Sequence, residues 1–260
     1  MIEYSHIESL LTTADIGRTV HGFDVIDSTN TYAKQLDRTK APHGTVIIAE
    51  EQTAGRGRLQ RNWMAAKGEN LLFSVLLYPS FATEKIALLP FAGSLAVADA
   101  IEEVTGLSPT CKWPNDVLID HRKVCGMLLE SVSAGGSIER IVLGIGVNVN
   151  QTEFPEELRF KASSLRTESG REVDRPALLA AILNALELRY EQLSSFAPDR
   201  LLNDWRMKAL LFGKKILVLE SEISYAATAI DVAEDGSLII AMEDGTKRHL
   251  FAGDVSLAYK

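Results

Sequence analysis

Apolar residues along this chain recur at spacings that change from segment to segment, and each change marks an element. Val20, Phe23, Val25 and Ile26 predict a strand over 19–26, and the β-branched run Val46-Ile47-Ile48-Ala49 predicts a second. Between them Ser28 can cap a helix reaching to about residue 38, and Ser5-His6-Ile7-Glu8 matches a capping box for a short helix over 6–12. Residues 53–62 have no apolar period, which predicts a loop, and Leu71–Leu77 then resumes as a strand stopped by Pro79. Pro90 cannot sit in a helix interior, so a helix starts near it and runs to 104, burying Ala92, Leu95, Ala96, Ala98 and Ile101. Strands follow over 110–113, 117–119, 124–133 and 138–149, the last two joined as a hairpin at Gly135-Gly136. Helical spacing returns over 177–193 (Leu178, Ile182, Leu186, Tyr190), and a second helix runs from Pro198 to about 210.

Past Gly213 the pattern shortens. Alternating runs at 215–219, 226–232, 238–242, 247–250 and 255–259 are separated by Glu234-Asp235-Gly236, Glu243-Asp244-Gly245 and Ala252-Gly253-Asp254. Five short strands in so little chain predict a small barrel, with a domain boundary near Phe212: 1–211 and 212–260. No internal repeat interrupts the series.

Composition narrows the function classes. Hydrophobic residues make up 46% of the 260 and charged residues 24%, enough for an ordinary core. A net charge of −8 argues against DNA as the main partner, because duplex affinity rests on Lys and Arg contacts to phosphate. No signal peptide opens the chain, and the longest apolar stretches are well short of a membrane span. Cys111, Cys125 and the five histidines lack metal-ligand spacing, and two reduced interior thiols fit the cytosol.

Three stretches carry candidate chemistry. Gly55-Arg56-Gly57-Arg58-Leu59-Gln60-Arg61-Asn62-Trp63 puts three arginines within six residues, between glycines that let backbone approach a ligand. The guanidinium groups would repel one another unless an anion sits between them, and they suit phosphate or carboxylate; a solvated basic loop is the plain alternative. Lys112-Trp113-Pro114-Asn115-Asp116 places a lysine at a strand end just before a forced turn, pointing into a cleft or into water. Gly144-Ile145-Gly146-Val147-Asn148 ends an apolar strand with two glycines, which mark either tight packing or a flat ring lying against the strand.

Together these stretches resemble the biotin–protein ligase family over nearly the whole chain. The matching elements, in family order, are Ser28-Thr29-Asn30, Gln52, Gly55 to Trp63, Lys112 to Asp116, Lys123 with Gly126, Gly144 to Asn148, Ala162-Ser163-Ser164-Leu165 and Ala252-Gly253-Asp254-Val255. The resemblance implies an α+β fold: a mixed β-sheet flanked by helices, of the class II synthetase-like biotin/lipoate ligase type, followed by a small SH3-like β-barrel. It implies that Ser28, Thr29, Asn30, Gln52, Gly55 and Gly126 shape the biotin pocket, with Arg56, Gly57 and Arg58 in a mobile loop that closes over it. Lys112 would sit between the biotin carboxylate and the α-phosphate of ATP and, with Arg58, carry catalysis. Arg58 and Arg61 would meet phosphate, Trp63 would wall the adenine, and Asn115, Lys123 and Asn148 would complete the nucleotide side. Asp116 could accept a proton, hold Mg²⁺, or simply pair a neighbouring lysine.

The implied activity is formation of biotinyl-5′-AMP from biotin and ATP with Mg²⁺, then transfer to a lysine of a biotin carboxyl carrier protein, by a monomer or homodimer. Lipoate–protein ligase, which shares the adenylate logic, and a non-catalytic biotin-binding regulator are the rivals. Two departures stand out. Many relatives carry Gly where this chain has Gln60, and the catalytic pattern begins almost at Met1, so no operator-binding helix-turn-helix is expected.

Overall fold

The computed structural model describes residues 2–79, 81–194, 198–220 and 223–257. The first sheet has seven strands: β1 (Val20–Ile26), β2 (Thr45–Gln52), β3 (Leu71–Leu77), β4 (Thr110–Lys112), β5 (Asp116–Ile119), β6 (Arg122–Ala134) and β7 (Ser137–Val147). Their order is β1-β2-β3-β7-β6-β5-β4. β1 and β2 are parallel and the other neighbours antiparallel, so the sheet is mixed, as the resemblance implied.

The central strands read as unbroken apolar runs because both faces are covered. Val46, Ile48, Val75, Leu77, Ile141 and Leu143 face the main core, which includes α3 (Leu89–Thr105) and α5 (Arg175–Ser194). The alternate residues Ile47, Leu76 and Val142 pack on Ala33 of α2 (Thr29–Gln35), with Leu36 and Ala41 beyond it. α3 begins with Pro90 in its first turn, where a missing N–H costs nothing, and ends at Gly106 in the left-handed region (φ 75°).

The second sheet contains β8 (Lys215–Glu220), β9 (Ile223–Val232), β10 (Leu238–Ala241), β11 (Lys247–Leu250) and β12 (Asp254–Leu257), ordered β11-β10-β9-β8-β12 and antiparallel throughout. It supplies the five expected short strands. The last was expected over 255–259; it starts one residue earlier, and residues 258–260 lie outside the described residues.

Some boundaries differ for local reasons. Ser5 and Glu8 form no capping box: α1 (Tyr4–Leu10) starts earlier, with Glu3 at its cap and no side-chain bond there. α2 stops at Gln35, where Leu36 turns extended and buries its side chain beside Ile47. β4 ends at Lys112, where the turn through Trp113 and Pro114 begins. A short helix α4 (Leu165–Ser169) had no periodic signal; Ser164 caps it, accepting from Thr167 N at 3.2 Å. α6 (Pro198–Lys208) ends two residues early, because Leu210 N instead bonds Cys111 O at 2.9 Å.

Candidate active site

One cavity of about 550 Å³ is bordered by the start of α2, the arginine loop, the β4–β5 turn, β6, β7, the segment after β7, and β12. It is lined by Ser28, Thr29, Asn30, Gln52, Arg56, Gly57, Arg58, Arg61, Trp63, Lys112, Asn115, Asp116, Lys123, Gly126 and Asn148. Every site residue named from the sequence is therefore brought together except Gly55. That glycine is buried just behind the wall, where an added Cβ would come within 3.0 Å of Trp63 O.

The α2 side is a closed hydrogen-bond set. Thr29 gives both its N–H (2.8 Å) and its hydroxyl (3.1 Å) to Gln52 Oε1, which fixes the amide and leaves Gln52 Nε2 free of protein partners among the described residues. Asn30 Nδ2 donates to Glu130 Oε2 at 2.8 Å and Leu128 O at 3.3 Å, while the Ser74 hydroxyl lies 2.6 Å from Asn30 Oδ1. Asn30 is thus a fixed wall, held at both ends of its amide. Ser28 caps α2 by accepting from Thr31 N at 3.4 Å.

Both glycines of the Gly144-Ile145-Gly146 run are explained by this chain's own side chains. A Cβ on Gly146 would stand 2.5 Å from Trp63 Cε2, and one on Gly144 would collide with the Asn30 amide. The flat ring against the strand is Trp63. Gly126 makes room for the other edge of that ring, 2.9 Å from its virtual Cβ, and for the Lys123 ammonium at 2.7 Å.

Six cationic side chains (Arg56, Arg58, Arg61, Lys112, Lys123, Lys161) line the cavity against two carboxylates, Asp116 and Asp254. On a chain of net charge −8 that concentration calls for an anionic ligand. Lys123 Nζ pairs with Asp116 Oδ1 at 2.6 Å and sits 5.4 Å from the Trp63 ring centroid. The Lys112 ammonium makes no hydrogen bond or ion pair among the described residues, and burial holds it below the ordinary lysine pKa despite Asp116 nearby. Arg58 reaches Asn115 Oδ1 (3.3 Å) and Gly253 O (3.1 Å), and Arg61 pairs with Asp254. Asn148 Oδ1 and Trp63 Nε1 are buried without a protein partner, one acceptor and one donor beside the cavity.

Sequence reasoning missed Ser74 and Glu130 as contributors, and it took Asp254 only as part of the C-terminal element Ala252 to Val255, without a role in the site. Ser74 is the lone hydroxyl in the apolar run Leu71–Leu77, which was a usable signal, since a polar group buried on both sheet faces needs a partner. Glu130 carried no comparable signal.

Residues 22–148 match the family model described as the biotin/lipoate A/B protein ligase family. The bifunctional ligase/repressor BirA of Bacillus subtilis is 33% identical over 257 residues, covering 97% of this chain and 78% of that protein. The chain belongs to the biotin/lipoate A/B protein ligase family. The biotin–[acetyl-CoA-carboxylase] ligase of Paracoccus denitrificans is 32% identical over 82% of this chain and 90% of its own length. Among solved structures, the biotin protein ligase of Aquifex aeolicus in complex with biotin and ATP superposes with a TM-score of 0.81, at 30% identity over 94% of this chain and all of that one. The 97% of this chain matched by the Bacillus subtilis protein takes in most of the second sheet.

Proposed function

We propose that the protein is a biotin–protein ligase acting in two steps at the cavity described above. In the first, a biotin carboxylate oxygen attacks the α-phosphorus of ATP; the P–O bond to the β-phosphate breaks, giving biotinyl-5′-AMP and pyrophosphate. In the second, a deprotonated lysine amine of a biotin carboxyl carrier protein attacks the acyl carbon. The C–N bond forms as the acyl–oxygen bond breaks, AMP leaves, and the amine gives up its second proton.

The observation that carries this reading is the half-buried Lys112, whose ammonium has no ion-pair partner among the described residues, in a cation-rich cavity. Two anions must meet in the first step, and a preorganised charge that needs no reorientation lowers that barrier. Gln52 Nε2 and Ser28 suit the polar head of biotin, which Thr29 and Asn30 surround. Arg58, Arg61 and Lys123 suit phosphate oxygens, and the bare Asn148 Oδ1 can accept from an exocyclic amine of a base stacked near Trp63. Lys112 and Arg58 are the proposed catalytic pair.

Mg²⁺ enters as part of the nucleotide substrate. Among the described residues no group of three His, Cys, Asp or Glu could hold a metal ion, and Asp116 is engaged by Lys123. Cys111 and Cys125 are buried free thiols, which suits work in the cytosol, and no helix among the described residues is long and apolar enough to cross a membrane. The acidic total supports a ligase without operator binding; a duplex shift at low salt would overturn that part.

Incubation with labelled biotin, MgATP and an apo-carrier, omitting each in turn, tests the whole reading. Label should reach the carrier only in the complete mixture. Comparing biotin with lipoate in ATP–pyrophosphate exchange separates the lipoate ligase alternative, and failure of both exchange reactions would leave only a non-catalytic binder.

A further inference from the structure

Glu130 lies on β6 outside the cavity lining, yet it is the shared acceptor for side chains from two elements that shape the cavity. Its Oε2 takes Asn30 Nδ2 at 2.8 Å from α2 and stands 3.5 Å from Arg56 Nη2 of the arginine loop. Its Oε1 takes Lys34 Nζ at 2.6 Å, also from α2. Arg56 Nη2 meanwhile donates to Thr31 Oγ1 at 3.1 Å, one turn along the same helix face. Helix, strand and loop thus converge on one half-buried carboxylate.

We infer that Glu130 is a positioning residue for the biotin side of the reaction: it docks the first limb of the arginine loop through Arg56 and sets the Asn30 wall opposite. The inference rests on the ligase reading above. Two features make the carboxylate charge, and not merely an acceptor, the working property. Arg56 is more than a third exposed and, among the described residues, has only Thr31 and Glu130 as side-chain partners, so without the charge its fork has little to hold it against water. Asn30 needs only an acceptor, which an amide oxygen also supplies. Burial pushes the Glu130 carboxyl up, but the bonds from Lys34 and Asn30 and the charges of Lys34 and Arg56 outweigh it, and the group stays ionised across the working range.

Glu130→Gln divides these roles. The isostere can still accept from Asn30, but it frees Arg56 and Lys34. KM for biotin should rise about 5- to 20-fold, with kcat at saturating biotin changed less than about threefold, because the wall and the chemistry persist while docking of the loop is lost. Protease nicking within 53–62 should increase over the wild-type chain. On an Arg56→Ala background the same substitution should add little to KM, since the two residues act as one unit. Additive effects of the two substitutions, or a fall in kcat with KM unmoved, would overturn the positioning role. A variant that does not fold is replaced by Lys34→Met, which spares Arg56 and should leave KM for biotin near the wild-type value; a rise equal to that of Arg56→Ala would show that general packing of α2, and not the docked arginine, sets binding. Wild-type protein that fails to form the adenylate defeats the ligase reading itself, whereas active wild type with an indifferent Glu130→Gln defeats only this inference.

Discussion

Lys112 combines a stability cost with a catalytic gain. Burial lowers its pKa, so between that value and the ordinary lysine value of about 10.4 the unfolded chain binds more protons than the folded one, and stability rises with pH across that window. Below it the ammonium is charged in both states and its desolvation weighs against folding. Lys112→Met should therefore raise the melting temperature at neutral pH, with the gain fading as pH passes about 10, while adenylate formation falls about 10²–10³-fold. Scanning calorimetry alongside ATP–pyrophosphate exchange reads both; a lower melting temperature would mean the amine has a stabilising partner. In the unsubstituted protein the alkaline limb of kcat/KM should lie below the ordinary lysine value, and that of kcat should lie higher, because bound anions favour the ammonium. The glycines make a second residue-scale case. Gly146→Ala forces a Cβ to within 2.5 Å of Trp63, and the ring, which lies across the paired Gly126 and Gly146, must lift off the strands into the cavity. Destabilisation of about 1–3 kcal/mol and a raised KM for ATP are expected by chemical denaturation and steady-state kinetics. Gly22→Ala is the control, since its Cβ meets nothing within 4 Å.

At the scale of elements, the arginine loop shows what a sequence can and cannot disclose. Its existence followed from the missing apolar period and its chemistry from the arginines, but not its shape. Residues 55–63 form a small folded hook: Gly57 N bonds Arg61 O at 2.7 Å, Trp63 N bonds Gly55 O at 3.0 Å, and a 3-10 turn spans Arg58–Gln60. Leu59 and Gln60 both take left-handed backbone (φ 54° and 59°), so Gln60 occupies a position whose geometry favours glycine. Gln60→Val should disrupt the hook, since a β-branched side chain tolerates that region least, and nicking within 53–62 should rise while unfolding of the rest is unchanged. Buried elements were legible because their apolar spacing is a direct consequence of the faces they cover: β3, α3 and α5 emerge within two residues of expectation. α4 was not, because a five-residue helix held by the Ser164 cap and the single buried Leu165 has no period to read. The candidate site divides the same way. Charged and glycine-rich clusters announced themselves, whereas Glu130 acts through partners that are distant in sequence, and nothing local distinguishes it from a surface carboxylate.

For the molecule as a whole, the decisive feature is how the second sheet meets the first. The expected boundary near Phe212 treats the last strands as a separate domain, yet their contacts reach into the candidate site. Gly236 O accepts the buried Trp113 indole N–H at 2.9 Å, holding the residue next to Lys112. Gly253 O and Asp254 take Arg58 and Arg61. Arg206 of α6 secures the same sheet from behind through Asp231 at 2.7 Å and Val232 O at 2.8 Å. We propose that residues 212–260 complete the phosphate side of the cavity and do not merely adjoin it. Asp254→Asn distinguishes the two arrangements. An ion pair as exposed as that of Arg61 contributes at most about 1 kcal/mol, so stability should barely move. What changes is the orientation of two arginines whose value lies in being aimed beforehand, because guanidinium groups that must be gathered at the moment of binding lose part of the gain as entropy. KM for MgATP should rise several-fold while biotin binding measured alone stays as it was, and calorimetric titration with each ligand would show the split. Equal loss for both ligands would point to a general loosening of the sheet. No loss for either would mean that Arg58 and Arg61 find their places without help from the far end of the chain.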